Sequence, residues 1–197
     1  VYKRQVVAEG KSRSTLARRT AAAKGFSTWA VREGHLERDV AARLVTPKVG
    51  RHLPTVLSPE QAGELMGNAV SADEAHFLRD SAILELLYAS GMRVAELVRL
   101  DLSDIDFHRG TLHVTGKGDK QRVVPFGHAA DDALRQWIEK GRGQLAEEGT
   151  KAVFVGSRGG RIDQRQVRRI VDRAAKVSGA QGLTPHGVRH SSATHLL

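Results

Sequence analysis

The chain has 197 residues, of which 40% are hydrophobic, so it is long enough for one complete domain with a buried core and part of a second domain. It contains no cysteine, which excludes a disulfide scaffold, and its nine histidines do not cluster with carboxylates, so we expect no structural zinc. No segment has the apolar length of a membrane span and no signal peptide is visible, so the sequence predicts a cytoplasmic protein.

The net charge of +9 is concentrated at the two ends of the chain. Residues 1–51 carry a net charge of +8, residues 52–160 carry −4 and residues 161–197 carry +5. Two separate basic segments are typical of a protein that holds duplex DNA from two sides through its phosphates, and such binding weakens steeply with salt. The alternative is an ordinary solvated basic surface.

The N-terminal part predicts two helices followed by a linker. An arginine-rich helix covers residues 12–33, a shorter helix covers residues 36–44, and residues 47–57, which contain proline and glycine, form the linker. We expect Trp29 to anchor the core of this part, and Trp137 to anchor the core of the next. The apolar stripe of the first helix consists of Leu16, Ala23, Phe26 and Ala30.

A second domain is predicted over residues 58–197. It begins with Ser-Pro-Glu-Gln, which has the form of a capping box with proline in the first helical turn. Helices and short strands alternate after it, so the sequence predicts a mainly α protein with a small antiparallel β-sheet. Helices are predicted over residues 73–89, 129–140 and 164–177, and strands near residues 104–107, 112–115, 122–125 and 152–155.

Residues 90–97, with the sequence SGMRVAEL, end one apolar helix and begin the next at Arg93. Arg93 and Glu96 then share one face of the new helix. A cation at a helix N-terminus is unfavourable unless an anion offsets it, so the pair suggests a guanidinium held for a ligand. The alternative is a surface ion pair worth roughly a few tenths of a kcal/mol.

Residues 111–126 alternate apolar and polar side chains on both sides of a Gly-Lys-Gly-Asp turn and predict a β-hairpin. Lys117, between the two glycines, can reach a neighbouring groove as a phosphate ligand or a proton donor. Hairpin tips are also commonly charged for solubility alone. The GxxxxGK[ST] pattern of a nucleotide-binding loop is absent.

Residues 183–197, with the sequence LTPHGVRHSSATHLL, place three basic side chains at the start of a helix that a Thr-Pro pair begins. His186 and Arg189 fall on one face, and His190 follows them. A helix N-terminus already favours anions, so this cluster suits a phosphate. A surface turn with ordinary basic residues is the alternative.

The order of Arg93, Lys117 and His186-x-x-Arg189 resembles that of the tyrosine recombinase (phage integrase) family. The segments SGMRVAEL, TGKGDKQRVVP and LTPHGVRHSSATHLL contain further family-typical residues, and they are most similar to the bacterial recombinases that resolve chromosome dimers. The resemblance covers the chain from about residue 12 onward. It implies site-specific cleavage and rejoining of DNA through a 3′-phosphotyrosine, with no metal and no cofactor, by a catalytic domain that follows an all-helical (SAM-like) core-binding domain, here partial and within residues 1–46.

The resemblance also implies a role for each matching residue. Arg93 and Arg189 would clamp the scissile phosphate, His186 would act as a hydrogen-bonding acid or base, and Lys117 would protonate the leaving 5′ oxygen. Glu96 would support this set, and His190 ranks below it. Two guanidiniums can stabilise the charge that a phosphodiester gains in its transition state without a metal.

The nucleophilic tyrosine of the family should follow the helix that starts near residue 184, but the chain stops at Leu197 and its only tyrosines are Tyr2 and Tyr88. Tyr88 lies in an apolar run that predicts a packing role, and Tyr2 is terminal. The first residue is Val, and residues 1–5 have the sequence of a suspected joining artefact. We therefore expect a fragment that binds DNA without completing catalysis. The alternative is a non-catalytic DNA-binding protein that retains the fold.

Further basic residues, located towards both ends of the chain, are predicted to contact DNA phosphates. The whole recombinase is expected to form a tetramer on two DNA sites, with itself or with a paralogous recombinase. The predicted DNA contacts are Arg13, Arg18, Arg19, Lys24, Lys48, Arg51, Arg165, Arg168 and Arg169.

Overall fold

A computed structural model describes residues 12–48, 56–67, 69, 71, 73–116 and 118–195. The chain divides into two compact units, Val1–Leu53 and Pro54–Leu197. Among the described residues, no helix combines the length and the apolar character that crossing a membrane requires. The architecture is mainly helical, with one three-stranded antiparallel sheet in the second unit, as the sequence predicts.

The first unit contains helix α1 (Arg13–Arg32), whose N-terminus is capped because the Ser12 hydroxyl accepts the Thr15 N–H at 3.3 Å. Its buried residues are Thr20, Ser27 and Ala30. The prediction that Phe26 and Trp29 face a core is wrong. Their side chains are 65% and 43% exposed, and their rings lie 5.6 Å apart on the surface. Ala30 of the predicted stripe is buried, and the small hydroxyl side chains of Thr20 and Ser27 fill the inward positions beside it.

The helix predicted over residues 36–44 is replaced by consecutive turns. The carboxylate of Asp39 causes this, because it accepts the hydroxyls of Ser27 at 2.5 Å and Thr28 at 3.0 Å and the backbone N–H of Ala41 at 3.0 Å. These bonds hold Asp39 against α1 and compete with helical backbone pairing. The backbone closes into a turn again where the Leu44 N–H binds the Ala41 carbonyl at 3.0 Å.

The second unit begins, within its described part, with α2 (Pro59–Gly67). The predicted capping box is present: the Ser58 N–H donates to Gln61 Oε1 at 3.1 Å, and the Gln61 N–H donates to Ser58 Oγ at 3.2 Å. Helix α3 (Glu74–Ser90) follows, and Gly91 ends it in the left-handed conformation with φ 55°. The short α4 (Val94–Leu97) then starts directly after Arg93.

The sheet is formed by β1 (Ile105–Asp106), β2 (Thr111–Thr115) and β3 (Gln121–Pro125) in the order β1-β2-β3. A 3-10 turn, Leu102–Asp104, precedes it. The strand predicted over residues 152–155 is wrong, since that segment makes isolated bridges only at Ala152 and Val155. Ala152 pairs with Asp101 and Val155 with Arg161, so the segment has a different partner at each end and no continuous ladder forms along it.

The remaining helices are α5 (His128–Gln136), α6 (Arg142–Leu145), α7 (Gln164–Val177) and α8 (Pro185–His195). A π-helical turn, Trp137–Gly141, joins α5 to α6. Trp137 is fully buried, as predicted, and its Nε1–H donates to the Val153 carbonyl at 2.9 Å. A Cβ atom on Gly141 would lie 2.8 Å from the Trp137 ring, so only glycine fits there.

Helix α3 is the centre of this unit and packs against α5, the π-helical turn and α8. It also carries a buried ion pair: Asp80 is 1% exposed and Arg79 is 5% exposed. Asp80 Oδ1 accepts Arg79 Nε at 2.9 Å and Nη2 at 2.7 Å, while Oδ2 accepts Arg173 Nη2 at 3.0 Å. Arg79 Nη1 also binds the Val155 carbonyl at 3.2 Å. The pair thus joins α3 to α7 and to the segment before it.

Replacing Asp80 with alanine should destabilise the protein by about 3–5 kcal/mol, because Arg79 would keep a buried charge with no carboxylate. Urea unfolding followed by circular dichroism measures the loss. The control is Asp131→Ala, which removes the carboxylate from a helical i,i+4 pair whose Arg135 side chain is 44% exposed, and it should cost less than about 1 kcal/mol. Equal costs for the two variants would contradict the assignment.

Candidate functional site

A cavity of about 620 Å³ lies where the start of α4, helix α7 and the N-terminal turn of α8 meet. Three arginines and a histidine line it: Arg93, Arg168, Arg189 and His186. The structure therefore brings together three of the four residues that the resemblance makes catalytic, with one predicted DNA contact. The remaining lining residues are Met92, Val94, Ala95, Gln164, Asp172, Gly182, Leu183, Thr184 and Pro185.

The turn at Gly91 brings two of these arginines close together. Its φ of 55° is a conformation that side chains other than glycine rarely adopt. A Cβ atom at this position would also lie 3.3 Å from Ser192 Oγ and 4.0 Å from Arg189 Cγ. The backbone before Arg93 can therefore pack directly on α8, which carries Arg189.

The N-terminal turn of α8 presents His186 and Arg189 to the cavity. Thr184 Oγ1 accepts the Gly187 N–H at 3.3 Å, which is the predicted cap. The rings of His186 and His190 meet edge to face with their centroids 4.7 Å apart. Arg189 is partly buried and, among the described residues, has no hydrogen-bond or ion-pair partner. Such a guanidinium has its full donor capacity available for an anion.

Helix α8 is fixed in place by its buried serine. Ser191 Oγ donates to the Gly187 carbonyl at 3.0 Å and accepts the Leu57 N–H at 2.9 Å. Ser191 and Val188 are both fully buried. The arginine that faces the cavity is thus carried by a helix whose opposite side is packed and hydrogen-bonded.

Glu96 is the buried carboxylate behind Arg93, and its side chain is 4% exposed. It accepts the Arg93 N–H at 2.7 Å and Arg93 Nη1 at 3.0 Å. It also accepts Arg122 at both oxygens, from Nη1 at 2.8 Å and Nη2 at 2.8 Å. Burial raises the pKa of Glu96, but the hydrogen bonds from Arg122 and from the backbone and side chain of Arg93 outweigh burial and lower that pKa to about 2.

Arg122 is the residue of this set that sequence reasoning missed. A signal was present in the hairpin, because alternation places Arg122 on the same face of β3 as Val124, which is buried. It also pairs in register with Val114, which is buried as well. An arginine on the inward face of a strand requires a carboxylate, and Glu96 is the one it binds.

Arg168 is exposed on α7 and lines the cavity beside Asp172. Its Nη2 atom donates to Gln164 Oε1 at 3.3 Å, whereas Asp172 pairs with Lys176 at 2.9 Å. The cavity therefore contains three guanidiniums and one carboxylate that is already neutralised. Its positive charge favours an anionic ligand.

The other predicted residues are distributed as follows. Lys117 and Arg51 lie outside the described residues. Arg165 and Arg169 are exposed on α7 but do not line this cavity. In the first unit Arg13, Arg18 and Lys48 are exposed, while Arg19 and Lys24 are partly buried.

Tyr88 has the packing role that its sequence context predicts. It packs against the core, and its hydroxyl lies 2.7 Å from Nδ1 of His195, with the two rings edge to face. Tyr88 does not line the cavity. In the part of the chain that the structure describes, no group of three or more His, Cys, Asp or Glu residues could hold a metal ion.

Comparison with known proteins agrees with this geometry. The model of the Phage integrase family matches residues 55–197. The chain belongs to the phage integrase family. Among curated members of tyrosine recombinase type, the tyrosine recombinase XerC of Corynebacterium efficiens is 62% identical over 98% of this chain, and that of Corynebacterium glutamicum is 61% identical over 97%. These matches span 62% and 61% of the relatives, so the chain covers about three fifths of their length.

Solved structures of the phage integrase family share the fold. The XerA recombinase is 28% identical, with a TM-score of 0.64 over 99% of this chain and 66% of its own. XerH bound to a palindromic difH substrate, in a post-cleavage complex, has a TM-score of 0.75 at 21% identity over 97% of this chain and 58% of its own. The predicted fold class and the predicted family are thus confirmed, and the relatives are of the XerC type.

The low pKa of Glu96 makes a prediction about acid stability. Because the pKa falls from 4.5 to about 2 on folding, the carboxylate contributes stability that is complete above about pH 4.5 and is lost as the pH falls towards 2. Urea unfolding of the unmutated chain and of Glu96→Gln between pH 5 and pH 3 measures this. The difference in stability between them should shrink as the pH is lowered. A constant difference would contradict the assignment.

Proposed function

We propose that this chain is the phosphate-clamping part of a XerC-like tyrosine recombinase, which cleaves and rejoins DNA at a specific site through a 3′-phosphotyrosine. The observation that carries the proposal is the cavity in which Arg93, Arg189 and His186 meet, with Arg189 unpartnered among the described residues. The cavity has three guanidiniums, and its one carboxylate, Asp172, is paired with Lys176, so its charge favours a phosphodiester anion. The relatives supply the chemistry, since they are recombinases by name.

In this proposal, Arg93 and Arg189 bind the non-bridging oxygens of the scissile phosphate, and His186 hydrogen-bonds one of them. Their charge stabilises the additional negative charge of the pentacoordinate transition state. Lys117 donates the proton to the leaving 5′ oxygen, which is the role that the resemblance implies. Glu96 acts behind Arg93 without touching the substrate.

DNA is the proposed partner, bound by the cavity and by the basic residues of both units. XerH is described as bound to a palindromic difH substrate, and lambda integrase as bound to DNA, as a dimer on a core site and as a tetramer on a Holliday junction. We extend to this protein a tetramer on two DNA sites, formed with itself or with a paralogous recombinase. Chromosome dimer resolution in the bacterial cytoplasm is the corresponding cellular role.

The test of the clamp uses a chimera in which residues 1–197 replace the matching part of the Corynebacterium efficiens XerC. On the recombination site of that relative, Arg189→Lys should lower the cleavage rate about 10²–10³-fold, because one ammonium cannot replace a bidentate guanidinium in the transition state. Duplex affinity should change by less than about threefold, since many other phosphate contacts support binding. Arg135→Lys is the control and should leave the cleavage rate unchanged, because Arg135 pairs with Asp131 and does not line the cavity. Parallel losses of cleavage and affinity in Arg189→Lys would make Arg189 only a docking residue.

The chain of 197 residues by itself should bind duplex DNA without a covalent bond to it. Tyr88 is held by His195 away from the cavity, and the other tyrosine of the sequence is Tyr2. Incubation with a nicked suicide substrate and denaturing electrophoresis tests this prediction. A protein–DNA band that survives denaturation would contradict it, and its loss in Tyr88→Phe would identify the nucleophile. A salt-dependent shift in native gels with no such band is the result that we expect.

A further inference from the structure

Arg122 and Arg93 share one carboxylate, that of Glu96, although they come from different elements. Arg122 lies on β3 and binds both oxygens of Glu96, each at 2.8 Å. Arg93 reaches Glu96 with one side-chain nitrogen, Nη1, at 3.0 Å, and with its backbone N–H at 2.7 Å. The carboxylate is 4% exposed, whereas the side chains of Arg122 and Arg93 are 39% and 62% exposed.

The charges of this cluster do not cancel. Two guanidiniums surround one carboxylate, and Arg122 makes the bidentate pair that neutralises a carboxylate most effectively. The cluster therefore keeps a net positive charge, and Arg93 shares the carboxylate through one side-chain nitrogen only. Its Nε and Nη2 atoms make no hydrogen bond to any other residue that the structure describes, so they remain available to a ligand in the cavity that Arg93 lines.

The same contact fixes the hairpin against the start of α4. At the end of β2, a Cβ atom on Gly116 would lie 3.5 Å from Arg122 Nη1 and 3.6 Å from Glu96 Oε1, so the hairpin backbone packs directly over the pair. The Gly116 N–H also binds the Lys120 carbonyl at 2.9 Å and closes the hairpin beyond β2.

We propose that Arg122 is a positioning residue for phosphate binding: it holds both oxygens of Glu96, which fixes the backbone at Arg93 and leaves the Arg93 guanidinium for the phosphate. The inference rests on the proposed function and adds to it a residue that does not line the phosphate cavity. Without Arg122, the only guanidinium of this set left to neutralise Glu96 is that of Arg93. Arg93 would then form the bidentate pair with Glu96 and compete poorly for phosphate.

The test measures the binding of inorganic phosphate to the 197-residue chain by the ¹⁵N chemical shift of Arg93 Nε, which Arg93→Lys assigns. Arg122→Met should weaken phosphate binding at Arg93 about tenfold, a change equivalent to about 1.4 kcal/mol. The matched control is Arg135→Met, because Arg135 also binds a carboxylate through two nitrogens, at 2.7 and 3.3 Å from Asp131, and does not line the cavity. It removes the same charge and should leave phosphate binding unchanged.

A rescue variant separates positioning from structural support. Adding Glu96→Gln to Arg122→Met removes the carboxylate that competes for Arg93 but keeps an oxygen for the Arg93 N–H, so phosphate affinity should recover. A residue that only stabilises the fold would give no recovery. If Arg122→Met does not fold by circular dichroism, Arg122→Lys replaces it. A lysine keeps the charge but cannot bind both oxygens in the same way, so affinity should again fall.

Four results would overturn the inference. The first two are unchanged phosphate binding in folded Arg122→Met or Arg122→Lys, and equal losses in Arg122→Met and Arg135→Met. The third is no recovery on adding Glu96→Gln, and the fourth is no response of Arg93 to phosphate in an unmutated chain that binds duplex DNA. The fourth result leaves the DNA binding of the proposed function standing. Failure of the unmutated chain to bind duplex DNA in a salt-dependent way overturns the proposed function and this inference with it.

Discussion

The close packing of the Gly91 turn on helix α8 is the contact on which the candidate site depends. It brings Arg93, which follows the turn, to the same cavity as Arg189. A Cβ atom at position 91 would lie 3.3 Å from Ser192 Oγ. Two guanidiniums repel each other, so their approach must be enforced by packing that is stable without a ligand. The buried residues of α3 and the fully buried Val188 and Ser191 of α8 supply that packing. The site is preorganised because the core, and not the ligand, holds the charges together.

Both buried carboxylates of the second unit follow one pattern, in which a single acid binds two arginines. Asp80 binds Arg79 and Arg173, and Glu96 binds Arg93 and Arg122. Arg173 is much more exposed than Arg79, and Arg122 lies on a different element from Arg93. Each acid therefore ties exposed arginines to the buried part of the unit. Burying an acid in this way is costly unless its oxygens are well paired, which both sets of hydrogen bonds achieve. The arrangement keeps a strongly basic surface attached to an apolar core.

Much of this fold could be predicted from the sequence, because its local signals agree with its tertiary packing. The capping box at Ser58, the glycine at position 91 and the alternation in the hairpin each specify an element boundary, and the structure has those elements. The errors have two physical causes. In α1, Thr20 and Ser27 take buried positions beside Ala30, whereas Phe26 and Trp29 are exposed, so hydrophobicity alone chose some of the wrong residues. At residues 36–44, the side chain of Asp39 captures hydroxyl and backbone donors that a helix would need elsewhere.

The residues of the candidate site could largely be predicted from the sequence, but the ion pairs between them could not. Arg93, His186 and Arg189 each lie in a segment with a distinctive sequence, and the structure brings them to one cavity. The partner of Glu96 on the hairpin was missed because a contact between β3 and α4 depends on how the sheet packs on the helix, which spacing along the chain does not reveal.

Arg93 and Arg189 are far apart in sequence, and this affects how the phosphate cavity forms on folding and is lost on unfolding. Its two halves come from opposite ends of the second unit, so closing it requires a long loop of chain, and such contacts form slowly. Helix α8 is held to the rest of the unit by Val188, which is fully buried in the core, and by the bonds of Ser191 to Leu57 and of His195 to Tyr88. The two arginines therefore come together only when α8 is packed on the core. Anion affinity and the core of the second unit should be lost together on unfolding.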